Sequence, residues 1–164
     1  MRSELIFNAI LIGTGATMFM DFVALGQKHL LSQQTLDYAL VGRWLGHMRR
    51  SQFIHRPISA SDPIRGEKLL GWGMHYLIGI LFAGVFLAIM DESWIKDPTL
   101  LPAILFGILT VLAPFLIMQP GLGAGLAARR TPKPTVARAK SIFAHLVFGV
   151  GLWITALGFV GIVQ

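Results

Sequence analysis

The chain has 164 residues, of which 54% are hydrophobic and only 13% are charged, and its mean hydropathy is +0.66. Soluble domains carry about a quarter charged residues, so this composition excludes an ordinary soluble core and indicates an integral membrane protein. The absence of cysteine excludes disulfides and thiolate metal sites, and we interpret the formal charge of +6 as loop charge facing membrane lipids, not nucleic acid.

Four apolar stretches reach the roughly 20 residues that a membrane-crossing helix needs. In chain order they are residues 5–25, 69–90, 100–118 and 142–163, and Asp21 is the only Asp, Glu, Lys or Arg within them. Backbone polar groups must be paired inside the hydrocarbon, so helices are the expected form. The sequence therefore predicts an all-α fold, a four-helix transmembrane bundle in which residues 1–164 form a single integral membrane domain.

The connection after the first stretch contains a further predicted helix. In TLDYALVGRWLGHMRR, residues 35–50, a helical projection places most apolar side chains on one side and Arg43, Arg49 and Arg50 on the other, although Asp37 falls on the apolar side. This pattern is typical of an amphipathic helix lying in the headgroup layer. Residues 51–68 contain prolines and small polar residues and are predicted to be irregular.

Loop charge predicts the orientation of the bundle. The first and third connections are rich in Lys and Arg, whereas the second has only Lys96 beside Asp91, Glu92 and Asp97. Basic loops stay in the cytoplasm, so the first and third connections are expected there and both termini outside.

The second and fourth stretches begin alike, with His75–Gly79 matching His145–Gly149 in spacing, and Met20–Asp21 in the first stretch matches Met118–Gln119 in the third. The chain thus reads as two repeated helical hairpins. In the predicted orientation Asp21, His75, Gln119 and His145 all lie within about two helical turns of the cytoplasmic interface. They are candidates for one polar site that binds a ligand or handles protons; the alternative is polar packing between helices.

Two histidines and a carboxylate are the donors of a metal centre, so His75, His145 and Asp21 are candidate ligands of a metal ion. The two histidines would alternatively be axial ligands of a haem, with a redox role. His47 and His55 lie on the same side and would cover the site as a lid or supply further ligands; the alternative is that they are surface histidines.

A second hypothesis is binding of anionic lipid headgroups. The segment QPGLGAGLAARRTPKPTVARAKS, residues 119–141, combines a glycine-rich turn with Arg129 and Arg130, and Arg43, Arg49 and Arg50 would form an opposite wall. The alternative is that these loops are basic only because topology requires it.

Two further roles remain open. Asp21 with the histidines would serve proton-coupled transport, which would need a homodimer because four helices enclose little room. A non-catalytic role as a membrane assembly partner is the other. Ser141 and Thr17 have no recognisable activating group, so the catalytic residue, if there is one, is unknown.

Four segments carry a family resemblance: VGRWLGHM, GWGMHYLIG, PFLIMQPGLGAGLAARRTPKP and AHLVFGVGLW. Through them nearly the whole chain resembles a family of uncharacterised bacterial inner-membrane proteins, classed as a domain of unknown function with four predicted helices. The resemblance implies a multi-pass protein of the bacterial inner (cytoplasmic) membrane. It implies no activity, cofactor or catalytic residue.

Overall fold

The structure is a computed structural model that describes residues 2–31 and 35–163. Six α-helices occupy most of these residues, and the described chain contains no β-strand. In chain order they are α1 (Arg2–Leu31), α2 (Tyr38–Met48), α3 (Glu67–Lys96), α4 (Leu100–Thr110), α5 (Gln119–Leu122) and α6 (Pro134–Val163). The predicted all-α bundle is confirmed.

Four segments are long and apolar enough to cross a membrane, which indicates a multi-pass membrane protein. They are Glu4–Leu30, Glu67–Asp91, Leu100–Leu122 and Pro134–Phe159. Each of them contains all or most of one of the four predicted stretches. Each also presents exposed apolar side chains, of which Phe22, Leu81, Leu105 and Ile154 are examples. Such surface is costly in water and costs nothing against lipid.

The third of these segments is not a regular α-helix throughout. Pro114 has no amide hydrogen to donate, so the α-helical bonding pattern cannot continue through it. The chain instead forms a π-helical turn over Pro114–Met118, in which the Gln119 amide donates to the Pro114 carbonyl, and then resumes as α5.

The chain divides into two compact units. The first, which we call the core unit, comprises Met1–Thr35, Tyr76–Thr110 and Ala144–Gln164. Its centre is apolar, with Ile12, Phe86, Leu87 and Leu152 almost completely buried. The second, the basic unit, comprises Leu36–His75 and Val111–Phe143. The expectation that residues 1–164 form one domain stays a prediction, and residues 1, 32–34 and 164 lie outside the described chain.

Glycines bring the helices of the core unit into backbone contact. A Cβ on Gly13 of α1 would lie 2.6 Å from the Ile80 Cα and 2.9 Å from the Gly79 carbonyl oxygen of α3. A Cβ on Gly107 of α4 would lie 2.7 Å from the Cα of Gly149 in α6. Each predicted hairpin therefore packs glycine against glycine, and small residues are used here for close helix approach, as in many membrane proteins.

Glycines also fix α2 in the basic unit. A Cβ on Gly42 would overlap the Glu67 carbonyl oxygen, and one on Gly71 would overlap the Tyr38 carbonyl oxygen, so α2 and the start of α3 touch through their backbones. Asp37 is the N-cap of α2, and its side chain accepts a hydrogen bond from the Ala39 amide at 3.0 Å. Its place on the apolar side of the projection is thereby explained, because a capping residue precedes the helix and need not obey its pattern.

Candidate functional site

The positive charge of the chain is concentrated in the basic unit. Eleven of the fourteen Lys and Arg residues but only three of the eight Asp and Glu residues lie in its two ranges, which gives a formal net charge of +8. The core unit carries −2. A surface of this kind attracts anionic partners and raises their local concentration.

Arg43 is held inside the basic unit by a forked ion pair. Its Nε and Nη2 donate to the two carboxylate oxygens of Glu67 at 2.9 and 2.8 Å, and its Nη1 donates to the Ser61 carbonyl oxygen at 3.0 Å. The hydrogen bond to Glu67 raises the pKa of Arg43. Glu67 also accepts from the Ile64 amide at 3.0 Å. Arg43, predicted to contact headgroups, thus ties α2 to the segment that precedes α3.

Other predicted headgroup contacts are exposed. Arg49 and Arg50 follow the end of α2, and Arg129 and Arg130 follow a 3₁₀ turn at Leu126–Ala128. That turn is preceded by Gly125 with φ +75°, where a Cβ would lie 3.0 Å from the Cγ atoms of both arginines. The positive backbone angle therefore favours glycine at this position, and a Cβ would also crowd the two arginine side chains.

A hollow of about 340 Å³ lies at the end of α2, and we call it the arginine hollow. Its lining residues are Gly46, His47, Arg49, Arg50, Ile64 and Arg65. Three of these six residues are arginines, and none is Asp or Glu. Gly46 allows α2 to pack on Ile64, since a Cβ there would overlap the Ile64 side chain. The two segments that supply the arginines are thus packed directly on each other.

His47 is buried, with only 6% of its surface exposed. Its Nε2 lies 2.9 Å from the Asp62 carbonyl oxygen, to which it donates, and its Nδ1 lies 3.0 Å from Gln52 Oε1. Its ring meets that of His55 edge to face, with centroids 5.1 Å apart. Both ring nitrogens of His47 are engaged within the protein. His47 therefore contributes to the wall of the arginine hollow, and the arginines are the residues of the lining that could contact a bound group.

His55 is buried as well, at 8% exposure, and lines a second hollow of about 550 Å³. Its Nδ1 lies 3.3 Å from the Gly121 carbonyl oxygen, which also accepts from the His55 amide at 3.0 Å. The buried Nε2 has no hydrogen-bond partner in the structure. The alternative that His47 and His55 are surface histidines is wrong, because the irregular segment after α2 folds back and buries both. Their role as a lid stays a prediction.

Gln119 and His75 also belong to the basic unit. Gln119 is buried at the start of α5 and donates from Nε2 to Ser141 Oγ at 3.1 Å, while its buried Oε1 has no hydrogen-bond partner in the structure. His75 Nε2 lies 3.1 Å from the Tyr38 hydroxyl, and the two rings are stacked with centroids 4.2 Å apart.

Asp21 and His145 belong to the core unit. Asp21 Oδ2 accepts a hydrogen bond from the Tyr76 hydroxyl at 3.0 Å. The Thr110 hydroxyl donates to the Gly107 carbonyl oxygen at 2.6 Å and lies 2.7 Å from His145 Nδ1. A hydroxyl has a single hydrogen, so Thr110 must accept from His145, which therefore carries a proton on Nδ1.

Each of the four predicted site residues thus has a partner outside the predicted set. That Asp21, His75, Gln119 and His145 share one site stays a prediction. Among the side chains that the structure describes, no group of three or more His, Asp or Glu residues is arranged to hold a metal ion. The metal and haem roles accordingly remain predictions from the sequence.

Sequence reasoning did not single out Tyr38, Tyr76 or Thr110 as partners, or Arg65 as a lining residue of the hollow. The tyrosines and the threonine are uncharged and lie in or beside apolar segments, where hydropathy does not mark them. Tyr76 adjoins His75 in the chain, and this adjacency is a signal that was available. Arg65 was one basic residue among many in its loop, and only its packing next to α2 distinguishes it.

The chain belongs to a family described as a protein of unknown function, DUF2938, whose model matches residues 10–159. The match covers most of the chain and confirms the resemblance to a family of unknown function. No curated protein and no solved structure matches the chain.

Proposed function

We propose that this member of the DUF2938 family is a multi-pass protein of the bacterial inner membrane that binds anionic lipid headgroups through its basic unit. The concentration of a formal charge of +8 in that unit carries the proposal. Basic residues close to an anionic bilayer surface each contribute about 1 kcal/mol of attraction. Several exposed arginines together therefore suffice for retention of anionic lipid.

The orientation follows from the same charges. Basic connections remain on the cytoplasmic side, so the proposal places the basic unit there and both termini outside. Anionic phospholipid headgroups would meet the basic unit on this side, within the roughly 8–10 Å over which exposed charges act at physiological salt.

The ion pair of half-buried Arg43 supports a distinction between structural and exposed arginines. If basic residues served topology alone, their positions within the loops would not matter. Arg43 instead binds Glu67 inside the unit, whereas the adjacent pairs Arg49 with Arg50 and Arg129 with Arg130 are exposed. Guanidinium forks of this kind match the oxygens of phosphate groups.

The test is the phospholipid retained by the full-length protein purified in mild detergent, measured by mass spectrometry. Arg129→Gln and Arg130→Gln are each compared with Lys96→Gln, which removes one exposed charge from the core unit. We expect each arginine variant to lower the ratio of anionic to zwitterionic lipid about fivefold, the equivalent of about 1 kcal/mol. Lys96→Gln should leave the ratio unchanged. Equal ratios in the wild type and all three variants would refute the proposal.

Metal or haem binding with a redox role, proton-coupled transport and a role as an assembly partner remain predictions from the sequence, and the first two depend on Asp21, His75 and His145. The absorption spectrum and metal content of the purified protein test the cofactor hypotheses. A wild-type protein that is colourless and free of metal, with the same absorption spectrum and metal content as His75→Ala and His145→Ala, would refute the metal and haem hypotheses.

A further inference from the structure

The arginine hollow has the chemistry of a phosphate site. We propose that it binds a phosphomonoester group, an inference that rests on the proposed headgroup function and narrows it to one ligand class. Arg49 and Arg50 come from the end of α2, and Arg65 comes from the segment before α3. Two segments thus supply arginines to the lining of one concavity, and no Asp or Glu lines it that would compete with a bound anion.

The hollow is held by contacts that do not involve these three arginines. Gly46 packs on Ile64 within the lining itself. The forked bond between Arg43 and Glu67, together with the bond from the Ile64 amide to Glu67, fixes the spacing of the two segments. A site whose walls are fixed in advance loses less conformational entropy when its ligand binds.

The charge of the hollow favours a monoester over a diester. A phosphomonoester carries a charge of about −1.5 to −2 at pH 7 and offers three terminal acceptor oxygens. A phosphodiester, as in most membrane lipids, carries one charge and two such oxygens. Three lining arginines therefore favour the monoester, both through its second charge and through its additional acceptor oxygen.

The size of the hollow is suited to a headgroup. Its volume of about 340 Å³ lies near the lower end of the range for small-molecule sites, roughly 300–1,000 Å³. A hollow of this volume is too small to enclose an acyl chain. The phosphomonoester would therefore be the headgroup of a phosphatidic acid or a small soluble phosphorylated metabolite. Both ligands carry the same phosphomonoester group, and a competition experiment with a soluble phosphomonoester distinguishes between them.

The experiment uses the full-length protein in mild detergent and measures retention of phosphatidic acid and phosphatidylglycerol by native mass spectrometry. We expect the wild type to prefer phosphatidic acid, and Arg65→Gln and Arg49→Gln each to reduce that preference about tenfold, as for the loss of one charge-assisted hydrogen bond. Arg129→Gln is the matched control. It removes the same charge outside the hollow and should lower retention of both lipids by the same factor.

The outcomes separate the two proposals. Retention of both lipids with no preference, or a preference that survives Arg65→Gln and Arg49→Gln, overturns the proposal of a phosphomonoester site in the arginine hollow. It leaves the proposal of headgroup binding intact. Retention of neither lipid above that of phosphatidylcholine overturns both. Where the preference is present and lost in the hollow variants, release of phosphatidic acid by glycerol 3-phosphate identifies a soluble ligand as the source. Resistance to it identifies the lipid headgroup.

Discussion

The backbone contact between α2 and α3 makes Gly71 intolerant of a methyl group. Its Cβ would overlap the Tyr38 carbonyl oxygen and lie 2.7 Å from the Tyr38 carbonyl carbon and 3.0 Å from the Gly42 nitrogen. Two residues further along the same helix, a Cβ on Gly73 would have no atom within 4 Å. Gly71→Ala and Gly73→Ala therefore form a matched pair that differs in packing and not in the chemistry of the substitution.

Both variants gain the helix propensity of alanine, about 0.8–1.0 kcal/mol. Gly73→Ala should keep that gain. In Gly71→Ala the overlap is with backbone atoms, which cannot rotate away, and inserting a carbon into a packed contact costs about 1–3 kcal/mol. We therefore expect the free energy of unfolding of Gly71→Ala to lie about 1–3 kcal/mol below that of Gly73→Ala.

The assay is thermal or denaturant unfolding of the purified protein in detergent, followed by circular dichroism. Because the propensity term is common to the two variants, the difference between them reports the contact alone. Equal stabilities would show that α2 does not lie on α3 at Gly71, and the placement of Arg43 beside Glu67 would lose its structural basis.

Two further substitutions test side-chain contacts by the same unfolding assay. Thr110→Val removes the acceptor of the His145 imidazole and should cost about 0.6–1.7 kcal/mol more than Thr110→Ser, which keeps the hydroxyl; equal effects would contradict the hydrogen bond. Arg43→Gln should destabilise the protein by about 1–2 kcal/mol, and a double-mutant cycle with Glu67→Gln should return a coupling of that size. Additive effects would show that the ion pair contributes nothing.

The proposed headgroup function depends on which arginines of the basic unit are bound within the protein and which are exposed. Arg43 and Arg49 lie six residues apart on the same short helix and its end, and both are basic residues of the same loop. One is bound to Glu67, and the other lines a hollow. Neutralising the first is expected to change stability, whereas neutralising the second is expected to change lipid preference. Comparing the two variants in both assays separates the contributions.

Hydropathy was sufficient to predict the four long helices and their approximate limits. This prediction succeeded because a chain in lipid must pair its backbone polar groups within each segment, which leaves the helix as the available form. The matched spacing His75–Gly79 and His145–Gly149 was also informative. Gly79 and Gly149 both lie at helix contacts, where only a residue without a side chain lets two helices approach this closely. The α2 helix was recognisable from its pattern, and only Asp37, the N-cap that precedes it, did not fit.

What the sequence by itself determined, then, is the helical class of this protein, the four segments able to cross a membrane and the concentration of positive charge in two connections. These depend on properties that each residue carries wherever it lies. Only the tertiary structure decided which basic residues are engaged within the protein and that His47 and His55 are buried. Pairing and burial depend on which segments touch, and here that depends on the crossing of α2 and α3 at Gly42 and Gly71. Arg43 meets Glu67, and Arg65 joins Arg49 and Arg50, because that crossing brings distant parts of one loop together.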